Sequence, residues 1–104
     1  MRITVITAVL NDRDALVRTR QSVLDQTGVD IQHVVIDGGS SDGVAELLTQ
    51  WSADSNLRFL SEPDSGVYDA FNKGLRLADG DSIGFLNAGD VYRDENVYFQ
   101  ICVS

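Results

Sequence analysis

One cysteine, one proline and one histidine are all that this chain holds of those three residue types, and each scarcity removes a class of protein. Cys102 has no second thiol to pair with, so an intramolecular disulfide framework is excluded, and a lone thiol suits a reducing compartment. Without a histidine or helix terminus beside it, Cys102 is read as inert. His33 lacks the Cys or His companions that a zinc site needs and is read as structural. Basic residues are also scarce: 8 Lys and Arg face 16 Asp and Glu, for a formal charge of -8. That balance repels a phosphate backbone and argues against nucleic acid as a partner. No apolar run approaches the roughly 20 residues of a membrane span. Met1-Arg2-Ile3 leads straight into a strand-like run rather than the basic and apolar regions of a signal peptide. The expected location is the cytoplasm, without an integral membrane segment.

What is present fits one soluble domain, since 104 residues with 43% apolar content build one core and leave no room for a second. Short β-rich runs alternate with stretches of helical period, and no repeat or linker-like tract interrupts them. Ile3 to Val9 is nearly all apolar, as in a strand covered on both faces, and Asn11-Asp12 supply a turn and a helix N-cap. The first helix is expected to bury Leu16, Thr19 and Val23 and to end near Gly28. Ile31 to Ile36 reads as the second strand. Val44, Leu47, Leu48 and Trp51 form one face of a second helix, and Leu57 to Leu60 a third strand. After the turn Glu62-Pro63-Asp64-Ser65-Gly66, a third helix carries Val67, Ala70, Phe71, Gly74, Leu75 and Ala78 on one stripe. Ile83 to Leu86 is the fourth strand.

The predicted fold class is therefore α/β, a Rossmann-like βαβαβαβ half sheet of mainly parallel strands. In such sheets ligands bind beyond the carboxyl ends of the strands. Those ends are Thr7 to Asn11, Asp37 to Ser41, Glu62 to Gly66 and Asn87 to Asp90.

Asp37 directly follows Val34-Val35-Ile36, so its carboxylate projects at a strand tip, where it serves either as a turn former or as an acceptor for a base or ribose. Gly38 to Gly43 is no Walker A loop, because Val44-Ala45 follows, and no G-x-G-x-x-G occurs. An acidic chain that handles phosphates calls for a divalent cation between carboxylates and ligand. Asn87-Ala88-Gly89-Asp90 offers oxygens suited to Mg²⁺ or Mn²⁺, although one Asp is also a common helix cap.

Four stretches in order carry a resemblance. They are Ile3-Thr4-Val5-Ile6-Thr7-Ala8 with Leu10-Asn11; Val34 to Gly43, with Asp37-Gly38-Gly39-Ser40-Ser41-Asp42; Ser61 to Gly74, with Glu62-Pro63-Asp64-Ser65-Gly66; and Ile83 to Asp90. Together they resemble the N-terminal part of glycosyltransferase family 2, a GT-A type fold. The resemblance implies that 1–92 is an incomplete nucleotide-sugar-binding domain and leaves 93–104 as a C-terminal segment of uncertain structure. It implies that Thr7, Ala8 and Asn11 line the nucleotide pocket and that Asp37 recognises the base, commonly uracil. Asp64, Asp69 and Asn72 then lie beside the donor, with Lys73 as a phosphate contact. Asn87 and Asp90 fall on the family's Asp-x-Asp metal motif, from which this chain departs by keeping Asp90 as the one acid, so that Mn²⁺ or Mg²⁺ binding is weakened or its ligand geometry altered.

The implied partners are a nucleotide sugar, most often a UDP-sugar, and a sugar or lipid-linked acceptor. The implied reaction is inverting transfer to an acceptor hydroxyl in surface polysaccharide or glycolipid synthesis. That reaction also needs a carboxylate base. In the family it lies further along than this chain extends, so the length suggests a fragment, and no base is assigned. Cytoplasmic placement extends to a peripheral position at the inner face of the membrane. The open edge of a four-stranded sheet leads to the expectation of a homodimer. The alternative is an inactive nucleotide-binding module acting in assembly. A receiver-like phosphoacceptor domain ranks lower, because the one lysine, Lys73, falls within a helix.

Overall fold

A computed structural model describes residues 2–26 and 28–86. Seven elements follow one another: β1 (Arg2–Val9), α1 (Arg13–Leu24), β2 (Asp30–Asp37), α2 (Val44–Trp51), β3 (Leu57–Ser61), α3 (Val67–Leu77) and β4 (Ser82–Phe85). The four strands form one sheet in the order β3-β2-β1-β4, and every pairing is parallel. The chain steps outward from β1 to β2 to β3 and then returns to the other side of β1. Winding thus reverses at β1, the place where parallel α/β sheets open a crevice for a ligand.

Helices cover both faces of the sheet, which is why the central strands β1 and β2 are buried along nearly their whole length. On one face Val9 and Val35 pack with Leu16 of α1 and with Val44, Leu47 and Leu48 of α2. On the other, Ile6, Val34 and Ile36 meet Ala70 of α3, with Phe71 and Phe85 edge to face alongside. The anticipated inward positions Leu16, Thr19 and Val23 are all buried. At the amino-terminal end of the sheet, the Gly80 amide donates to Thr4 Oγ1 at 2.9 Å and the Asp79 amide to Gln32 Oε1 at 2.8 Å. These bonds seat β4 beside β1.

Three local expectations are corrected. α1 ends at Leu24, four residues before Gly28. Its last turn has no basic side chain to complement the helix dipole, and the Gln26 amide already bonds back to Val23 O at 3.2 Å. Gly28 does take a positive φ of 77°, but in the turn that delivers Val29 and Ile31 to the core. Asp12 occupies the N-cap position of α1 without making a side-chain capping bond. Leu75 stands exposed rather than on the inner stripe of α3, which runs instead through Ala70, Lys73, Gly74 and Leu77. A lysine is tolerated there because three acceptors meet its ammonium, as described below.

Close approach of α3 to β1 depends on Gly74. A Cβ at that position would overlap Ile6 Cγ2 and lie 3.1 Å from Ile6 Cδ1. Ile6 has no exposed surface and is stiff at χ1, so it cannot turn aside. Alanine gains about 1 kcal/mol of helix propensity, yet overpacking of this kind costs about 1–3 kcal/mol. Gly74→Ala is therefore expected to destabilise by about 1 kcal/mol net. A melting temperature at or above wild type would refute that packing argument.

Candidate functional site

The carboxyl ends of β1, β2 and β3 are laced into one rim by backbone amides and short polar side chains. Asn11, just past β1, sits at a positive φ of 50°, a conformation asparagine adopts more readily than most residues. Its amide donates to Ser40 Oγ at 2.8 Å, and its Oδ1 accepts from the Ser41 amide at 2.8 Å. Asp42 reaches across to accept from the Arg13 amide at 2.9 Å, and so caps α1 from the neighbouring loop. The ladder itself continues past the strands, with the Gly38 amide on Val9 O and the Glu62 amide on Asp37 O, each at 2.9 Å.

Asp37 closes this rim from within. Parallel register sets it opposite Ser61, whose hydroxyl donates to Asp37 Oδ2 at 2.7 Å. Oδ1 accepts from the Ser40 amide at 3.0 Å and from the Ser40 hydroxyl at 2.5 Å. The residue has no solvent-exposed surface. Beside it, the Asp64 carboxylate lies against the backbone of Gly38, so close that a Cβ there would meet Asp64 Oδ2 at 3.0 Å. Asp64 Oδ1 accepts from the Gly66 amide at 3.0 Å, which tightens the turn before α3.

Lys73 holds that turn from below. Its ammonium donates to Pro63 O at 3.0 Å and pairs with Glu62 at 3.1 Å and Asp69 at 3.4 Å. An ammonium has three donors, and all three are engaged. Burial pulls the Lys73 pKa down, but the hydrogen bond to Glu62 and the charges of Asp69 and Glu62 outweigh it and raise the value. Asp69 is held below the usual carboxylate range, first by the Ser65 amide and then, against its own desolvation, by Lys73.

The residues expected at the site thus separate into groups. Asn11, Asp37, Asp64 and Asp69 share the rim or the turn that forms it. Asn72 is exposed on α3. Thr7 and Ala8 lie one step below the rim on opposite faces of the sheet: the Thr7 hydroxyl is 2.9 Å from His33 Nε2, and Ala8 packs towards α3. Any contact they make with a ligand therefore falls to the backbone. Asn87 and Asp90 lie outside the described residues. Among the described residues, no group of three or more His, Cys, Asp or Glu gathers to hold a metal ion, and no helix is long and apolar enough to cross a membrane. Asp42 and Ser61 were not singled out from sequence as site residues. Both sit inside the stretches that carry the resemblance, but their partners are set by register and loop packing.

Comparison with known proteins gives the family and the fold. Residues 4–101 match the family described as Glycosyl transferase family 2. An uncharacterized glycosyltransferase of Mycobacterium tuberculosis is 41% identical over 99 residues, covering 94% of this chain and 37% of that protein. The putative teichuronic acid biosynthesis glycosyltransferase TuaG of Bacillus subtilis is 32% identical over 101 residues, 95% of this chain and 40% of its own length. This chain thus spans little more than a third of those two relatives. In fold it is similar to the mannosyltransferase PcManGT from Pyrobaculum calidifontis, solved with GDP-Man and Mn²⁺, with a TM-score of 0.80 at 22% identity over 89% of this chain and 29% of that one. It is also similar to S. aureus TarS 1-349 in complex with UDP-GlcNAc, with a TM-score of 0.84 at 20% identity over 99% of this chain and 30% of that one.

Proposed function

The chain belongs to glycosyl transferase family 2, and from that premise we propose that its rim receives the nucleotide of a nucleoside-diphosphate sugar, most often a UDP-sugar, for inverting transfer to an acceptor hydroxyl. The observation that carries this reading is the adjacency of Asp37 and Asp64 across Gly38, at the carboxyl ends of β2 and β3 and beside the strand where winding reverses. Asp37 recognises the base, the backbone at Thr7, Ala8 and Asn11 lines the pocket, and Asp64, Asp69 and Asn72 lie towards the sugar. Lys73 acts by keeping the turn of Asp64 in place.

Asp90 with Asn87 is the proposed holder of Mn²⁺ or Mg²⁺, both being oxygen donors that suit hard cations. When bound, such a cation supplies charge compensation for a departing diphosphate. A chain of net charge -8 has particular need of it. The relative named for teichuronic acid biosynthesis supports a place in surface polysaccharide or glycolipid synthesis; the cytoplasmic face of the membrane is the location proposed for it.

Calorimetric titration of UDP with and without Mn²⁺ tests the reading. Mn²⁺ is expected to tighten UDP binding by about tenfold or more, equivalent to about 1.4 kcal/mol. Equal affinity in the two titrations refutes the cation's role, and absence of nucleotide binding in both refutes the proposal as a whole.

A further inference from the structure

A carboxylate that is wholly buried and hydrogen-bonded on both oxygens cannot touch a base as it stands, so the proposed role of Asp37 requires one of its partners to leave. An ionised carboxylate has about four lone-pair positions, two on each oxygen. Ser40 fills both on Oδ1, through its amide at 3.0 Å and its hydroxyl at 2.5 Å. Ser61 takes one on Oδ2, at 2.7 Å, and the position left on Oδ2 is covered, since Asp37 has no exposed surface.

The two serines are not equally free to move. Ser40 is pinned twice over, because its own amide is one of the donors and its hydroxyl accepts from the Asn11 amide at 2.8 Å. Releasing Oδ1 would unlace the loop after β2 from the loop after β1. Ser61 is the last residue of β3, an outer strand of the sheet, and the residue is exposed. Among the described residues its hydroxyl bonds to no other loop, and a turn about χ1 transfers it to water. One hydroxyl donor is then lost at Oδ2 and one place is opened there.

We infer that Ser61 is a removable cap on Asp37, exchanged on nucleotide binding for a single N–H donor of the base at Oδ2. This rests on the proposed recognition of the base by Asp37. Selectivity follows from the same count. With Oδ1 saturated by Ser40, Asp37 offers one oxygen. Uracil presents one imide N–H between two carbonyl acceptors and fits a single oxygen. Guanine presents N1–H and the N2 amino group side by side, a pair that engages both oxygens of a carboxylate, so it would have to displace Ser40 as well. Ser40 and Ser61 together therefore favour uracil over guanine without either of them touching the base.

The sign of the Ser61→Ala effect is the test. Removing a competing hydroxyl is expected to tighten UDP binding by about fivefold, the equivalent of one ordinary hydrogen bond, while GDP stays weak. Ser61→Thr restores a hydroxyl and is expected to return UDP affinity to that of wild type. The titrations use UDP and GDP in the presence of Mn²⁺, with circular dichroism to verify that each variant is folded. If Ser61 merely braced Asp37, Ser61→Ala would weaken UDP binding, and that result, or an unchanged affinity, overturns the inference while leaving base recognition intact. GDP binding as tight as UDP binding in wild type overturns the single-oxygen selectivity. A wild-type chain that binds neither nucleotide overturns the reading of Asp37 and this inference with it.

Discussion

Lowering the pH from 7 to 5 is expected to destabilise this fold by about 2 kcal/mol, and lowering it to 4 by about 3 kcal/mol, through one buried histidine. His33 is 1% exposed and its pKa is pushed from 6.5 to about 3, first by burial and then by the charge of Arg20, against a small opposing pull from Asp54. The hydrogen bonds specify its neutral form. Arg20 Nη1 lies 3.1 Å from Nδ1, and a guanidinium only donates, so Nδ1 is the bare acceptor and Nε2–H donates to Thr7 Oγ1 at 2.9 Å. A proton on Nδ1 would face the Arg20 donor. Arg20 cannot retreat, because its Nη2 pairs with Asp54 at 2.7 Å and its guanidinium sits 5.9 Å from the Trp51 ring centroid.

The sign of the effect follows from where each state takes up its proton. The unfolded chain protonates His33 near pH 6.5, while the folded chain keeps it neutral down to about 3. Between those values the unfolded state binds more protons, so stability falls as the pH falls. Asp54, held below its usual value chiefly by the Asn56 amide, adds a loss of the same sign only below about pH 4. Urea midpoints at pH 7, 6 and 5 isolate the histidine when compared with His33→Gln. Glutamine keeps an N–H for Thr7 and a carbonyl for Arg20 but does not titrate. Parallel pH profiles in the two proteins would refute the assignment.

Asp37→Asn is expected to weaken UDP binding by roughly ten- to a hundredfold while shifting stability by less than about 1.5 kcal/mol. An asparagine of the same shape accepts from Ser40 through its oxygen and donates to the Ser61 hydroxyl through its amide, so the rim stays laced. Towards a base it presents an N–H where an acceptor is needed, and donor then faces donor. Asp37→Ala is the less informative variant, because it strips three hydrogen bonds and leaves the Ser40 amide without its acceptor. Calorimetry with UDP and Mn²⁺, paired with urea unfolding of the same variant, separates the two effects. Undiminished affinity in Asp37→Asn would refute contact between this residue and the base.

Much of the fold was legible because its signals are local. The apolar runs, the stripes of α1 and α2, and the Gly and Pro punctuation between Glu62 and Gly66 depend on neighbours a few residues apart. On α3 a convergence of partners overrode the local pattern. Lys73 takes an inner position on α3 because Glu62, Pro63 and Asp69 converge on it, and Leu75 is left outside. Arg20 is buried for the same kind of reason, between His33 and Asp54.

The order of strands and helices, the acids and amides at the strand ends, and the likeness to one enzyme family were all determined by the sequence alone, since periodicity, turn chemistry and motif spacing are properties of a short stretch of chain. Which polar atoms meet was decided only by tertiary structure. Asp37 and Ser61 are separated by 24 positions, and it is the parallel register of β2 on β3 that sets them face to face. A hydrogen bond works over about 3 Å, and no local rule specifies a distance that fine between residues that far apart.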